Sequence, residues 1–155
     1  MNAMTRHDAP TTSRIRRAGV LLLAWALAAA WGSVVQSCWN LQALVEVGVD
    51  IPFHTWWVVI GQDLLGFAPL YGGLLAVGWL IALPLASGLA RRWPAGRRVL
   101  MALAAGVGMV AAVRAVDAVA PMPVFIDATR SLPGLLAMAT GAAGGGWLYA
   151  RLTGR

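Results

Sequence analysis

His54, Asp50 and Asp63 are the residues of this chain best suited to moving protons. A histidine and two carboxylates in one segment can supply a general base and a proton acceptor. A membrane hydrolase or transferase acting on a lipid-linked substrate needs that pair. Arg114 and Asp117 make a second constellation. They stand three residues apart, so a helix places them on one face. There they either receive an anion or a lipid headgroup, or pair with each other and stabilise a helix end. Gln62 and Asp63 together read as a polar binding point, facing headgroups or capping the mouth of a bundle.

Other chemistries are excluded by the residues at hand. The chain has no HExxH, Walker loop, GxSxG or dinucleotide fingerprint. His7 lies in the polar tail, which leaves His54 alone near the apolar part, so paired axial histidines for a haem are not available. Cys38 is the only cysteine, which excludes an intrachain disulfide, a cysteine-based zinc site and a CxxC pair. The sequence implies no metal and no cofactor.

The element that positions these groups is the uncharged run Leu70 to Ala90. As a helix it reaches about 30 Å, the thickness of a bilayer's hydrocarbon core. Charged residues make up 12% of the chain and hydrophobic ones 59%, with mean hydropathy +0.71. A soluble domain carries about twice that share of charge, so these residues imply one small membrane domain. All basic residues are arginine, a usage that fits a GC-rich bacterial genome. Arg6, Arg14, Arg16 and Arg17 precede the first apolar run, Arg91, Arg92, Arg97 and Arg98 follow the second, and Arg151 and Arg155 close the chain. Glu46, Asp50, Asp63, Asp117 and Asp127 fall between those clusters. Such alternation is the positive-inside pattern of a bacterial inner-membrane protein with both termini in the cytoplasm. It argues against nucleic acid as the partner of the basic residues and for anionic lipid.

The expected fold is an all-α membrane protein, a four-transmembrane-helix bundle with short amphipathic helices in the first outer loop. Residues 1–17 form a disordered cytoplasmic tail, and 18–152 a single domain. Its spans lie at about 18–37, 70–90, 99–119 and 134–150, with an outer loop at 38–69. In that loop Leu41, Leu44 and Val45 line one face of a short helix, with Gln42 and Glu46 opposite. Gly48 and Asp50-Ile51-Pro52 break it. Thr55 then caps a second helix, Trp56 to about Phe67. Trp39, Trp56 and Trp57 suit a membrane interface, so the loop reads as a lid on the outer leaflet. Pro69 opens the second span and Pro84 kinks it.

Small residues recur at every fourth position: Ala24, Ala28 and Gly32; Ala82, Ala86 and Ala90; Ala104, Gly108 and Ala112; Gly141 and Gly145. These ridges allow close approach of a neighbouring helix, of a protein partner or of a second copy. The first apolar run also has the form of a signal peptide. Val35-Gln36-Ser37-Cys38 resembles a lipoprotein cleavage box with Cys38 lipidated, and Ala28-Ala29-Ala30 offers another cut. The run from Pro69 through Gly72-Gly73-Leu74-Leu75-Ala76 is echoed by Pro133-Gly134-Leu135-Leu136-Ala137. A duplicated hairpin gives such an echo, and so does low-complexity composition.

Three functions fit these features. The first is a non-enzymatic accessory protein that binds lipid or a partner under its apolar lid. The second is a membrane enzyme using His54 with Asp50 and Asp63. The third is a small transporter subunit, which needs an ionisable group near the membrane centre.

Overall fold

The computed structural model describes residues 9–120 and 126–154, with side chains from residue 14 onward. Four α-helices make up almost all of it: α1 (Ala9–Glu46), α2 (Phe53–Ala90), α3 (Arg97–Val119) and α4 (Leu132–Thr153). Short 3-10 turns stand at Pro94–Gly96 and Asp127–Arg130. Each helix packs on its neighbours in the chain, and α1 closes the ring against α4. Arg14–Glu46, Phe53–Ala90 and Pro94–Val119 are long and apolar enough to cross a membrane.

Small residues let the backbones meet. Ala24, Ala28, Ala86, Ala90, Ala105 and Ala142 are all buried. A Cβ on Gly78 would strike the Gly108 carbonyl, and one on Gly146 would strike the Met101 carbonyl. The ridges seen in the sequence therefore serve contacts within the chain. Tryptophans bridge the same joints. The Trp25 indole donates to the Gly72 carbonyl at 2.8 Å, Trp31 to Ala137 at 2.9 Å and Trp79 to Ala105 at 3.2 Å. Each indole spends its one donor on a neighbouring helix, so the rings present carbon elsewhere.

Several expectations are corrected by the helix boundaries. The segment 38–69 does not hold two separate amphipathic helices lying on a surface. Its halves continue α1 to Glu46 and α2 from Phe53, and only 47–52 connects them. Nothing between Ser37 and Glu46 breaks a helix, and Pro69 removes one backbone bond without ending α2. Thr55 is no cap; α2 starts after Pro52 with no side-chain cap. At about 57 Å by helical rise, α2 far exceeds a bilayer core. The α1–α2 hairpin thus projects beyond α3 and α4 and leaves Val47, Phe53 and Trp57 exposed. Helix α1 begins at Ala9, inside the segment 1–17 expected to be a tail; residues 1–8 lie outside the described residues. Pro10 falls in the first turn, where its missing N–H costs nothing.

The hairpin turn depends on Gly48, whose φ is 89°. A Cβ there would meet open space, so only backbone strain opposes a side chain. Gly48→Ala is expected to cost about 1–2 kcal/mol, read as a lower unfolding midpoint in mild detergent.

Candidate functional site

The polar groups of the domain gather where α1, α2 and the 126–131 segment meet, at the end opposite the arginine clusters at 14–17, 91–98 and 151. On α1 the residues Ser33, Gln36, Ser37 and Asn40 follow one another at helical spacing, so they share a face. Ser33 and Ser37 are fully buried. The Ser37 hydroxyl lies 2.7 Å from Asp63 Oδ2 and 2.9 Å from the Ser33 carbonyl. A hydroxyl has one proton, and the carboxylate is the nearer and stronger acceptor. Tyr71 is buried one turn from Phe67, whose ring stacks on it at 5.9 Å. The hydroxyls of Ser33 and Tyr71 have no hydrogen-bond partner among the described residues.

A plug closes this mouth. Ile126, Ala128 and Thr129 are buried although they belong to a connection between helices. The Ala128 amide donates to Gln36 Oε1 at 2.9 Å, and Thr129 Oγ1 donates to the Ile126 carbonyl at 2.7 Å. Ser131 caps α4 by accepting from the Gly134 amide at 3.1 Å, and it also accepts from the Trp39 indole at 3.2 Å. The cover over the bundle is thus the 126–131 segment, in place of the lid expected at 38–69.

His54 and Asp50 are exposed near the hairpin tip. His54 and Asp63 stand nine residues apart on the same helix. That spacing puts them about 13 Å apart along the axis and on opposite faces. They do not share a proton. Asp63 instead anchors α2 to α1 through Ser37, while its neighbour Gln62 is exposed. Arg114 and Asp117 do meet, at 3.6 Å, with the arginine half exposed and the carboxylate nearly covered. A surface pair of this geometry contributes only about 0.3–0.5 kcal/mol. Arg130 and Asp127 make a second such pair, at 2.9 Å on the plug. Cys38 is half-buried in α1, about two turns before its end and directly after Ser37. A cut before it would divide α1 between Ser37 and Cys38.

Sequence reasoning passed over Ser33, Ser37, Tyr71 and Thr129. The spacing of Ser33, Gln36, Ser37 and Asn40 in an otherwise apolar helix was the available signal. Ser37→Ala is expected to cost about 1–2 kcal/mol, because it leaves Asp63 without its donor. Asp63→Ala should cost less, since the Ser37 hydroxyl still has the Ser33 carbonyl. The two losses should not add in the double variant, which an unfolding titration in detergent would read.

At the other end, the guanidinium of Arg16 donates to the Leu152 carbonyl at 2.9 Å. Arg97 donates to the Ala150 carbonyl and, at 2.9 Å, to Thr153 Oγ1. Arg151 lies over the Trp147 ring at 5.1 Å. Arg14, Arg17, Arg91, Arg92 and Arg98 are exposed and have no protein partner among the described residues. No family model, curated protein or solved structure matches the chain.

Proposed function

We propose that the chain is a small multi-pass protein of a bacterial inner membrane, crossing it four times, and that it serves as a non-enzymatic accessory protein that binds lipid. Both termini and the 91–98 turn lie in the cytoplasm. The observation that carries this reading is the sorting of charge along the helix axes. Arg16 and Arg97 tie the ends of α1 and α3 to the end of α4, which carries Arg151, and Arg91 and Arg92 follow α2 beside them. The middle of the ring is uncharged, and Leu22, Leu80, Leu85, Leu103, Val107 and Leu136 are exposed around it. In water such a girdle would drive aggregation; in a bilayer it matches its solvent. α4 is about 33 Å long by helical rise, and its glycines Gly141, Gly145 and Gly146 face neighbouring helices.

The enzyme reading loses support because His54 and Asp63 are apart. The transporter reading gains one observation: Asp63 meets the buried Ser37 between two helices. The carboxylate sits toward one end of that interface and is engaged in holding it.

Alkaline phosphatase fused at Asp50 is expected to be active, and fused after Arg155 to be inactive. Activity after Arg155 would place the arginine end outside and overturn the assignment.

A further inference from the structure

A groove of about 400 Å³ runs between α1 and α2 in the half of the domain nearer the arginines. It is of the size that takes a small ligand. Leu21, Trp25, Trp79, Leu83 and Pro84 wall it, and Ser87 and Tyr149 stand toward its arginine end. The walls present carbon because both indoles donate elsewhere, Trp25 to Gly72 and Trp79 to Ala105. Ser87 is also committed, to the Met101 sulfur at 3.7 Å. The Tyr149 hydroxyl has no partner among the described residues.

The mouth of this groove is cationic. On α1, Arg14 and Arg17 lie two turns and one turn before Leu21 on the same face. On α2, Arg91 lies one turn after Ser87, on the face that carries Leu80 and Pro84. All three are exposed and without a protein partner among the described residues. By contrast, the larger groove between α2 and α3, about 660 Å³, is lined entirely by apolar residues from Val77 to Ala115 and offers no polar handle.

We propose that the α1–α2 groove is a binding site for an anionic phospholipid of the cytoplasmic leaflet. One acyl chain lies against Trp25, Trp79 and Leu83. The phosphate sits among Arg14, Arg17 and Arg91, with the Tyr149 phenol donating to the ester or phosphate oxygens. The fit is one of charge and shape together: carbon walls at membrane depth, and free guanidiniums where the chain leaves them. This site rests on the membrane placement proposed above.

The test uses the full chain in mild detergent, with phosphatidylglycerol and phosphatidylcholine in competition and native mass spectrometry as the readout. One retained phosphatidylglycerol per chain is expected. R14Q/R91Q should lower its retention about tenfold or more, at roughly a factor of five per charge removed. R92Q/R98Q removes the same charge from arginines outside the proposed phosphate site and should change it less than about twofold. Ala76→Phe fills the groove and should displace the lipid while leaving all arginines in place. Equal loss in the two arginine pairs, equal retention of both lipids, or full retention in A76F would overturn the site. These outcomes are independent of the phosphatase fusions. A site that fails while the fusions behave as expected leaves the membrane placement standing. Fusions with the opposite pattern remove the cytoplasmic leaflet from the proposal, whatever lipid is retained.

Discussion

Gly146→Ala is expected to separate α3 from α4 and cost about 3 kcal/mol or more, while Gly144→Ala, two positions earlier, is neutral or stabilising. The two sites differ only in what faces them. A Cβ at Gly146 would collide with the Met101 carbonyl and the Ala105 methyl. A carbonyl in a helix cannot turn aside without breaking its own hydrogen bond, so the whole helix must move. Packing lost along that joint then adds to the collision. A Cβ at Gly144 meets nothing within 4 Å. There alanine only removes glycine's backbone entropy, worth up to about 1 kcal/mol in a helix. Gly78→Ala should resemble Gly146→Ala, because its Cβ would meet the Gly108 carbonyl on α3. Unfolding midpoints in detergent for the three variants check the pattern. Equal midpoints for Gly146→Ala and Gly144→Ala would show that α3 and α4 are farther apart than described.

Those glycines mark what could be read in advance. Gly141, Gly145 and the ridges through Ala24 and Gly108 announce close approach by spacing alone, and they face Trp31, Trp79 and neighbouring backbone. The apolar helices and the arginine turn were legible for the same reason: local composition decides them. Continuity of the long helices was not. Residues 38–46 are too polar for a membrane core, which suggested a separate element. A helix that runs from apolar into polar sequence keeps its backbone bonds, however, and has no need to stop where the composition changes. Pro69 was equally ambiguous, since proline suits both a helix start and a kink. The polar seam failed to show because its partners are distant in sequence. Ser37 finds Asp63 and Gln36 finds Ala128 only after the ring has closed. His54 and Asp63 looked like a pair through proximity in sequence, and helical geometry puts them on opposite faces.

Gln36→Leu is expected to release the plug over that seam. Gln36 is buried, and its carbonyl oxygen is the acceptor for the buried Ala128 amide. Leucine keeps the bulk and removes the acceptor. The Ala128 N–H is then left unsatisfied in a dry site, at a cost of about 1–3 kcal/mol. The segment can avoid that cost by opening to water, so the penalty falls on the closed plug more than on the helices. A 2 kcal/mol shift in a local opening equilibrium speeds amide exchange about thirtyfold where closing is fast. Hydrogen exchange over 126–131 should therefore rise by about that factor, while peptides of α3 stay protected. Gln42→Leu is the matched control, because Gln42 is exposed and its amide reaches only Glu46 at 3.4 Å. If exchange over 126–131 is unchanged in Gln36→Leu, the plug is held by the packing of Ile126 and by the Trp39–Ser131 bond at 3.2 Å. The buried glutamine would then be a passenger of the fold.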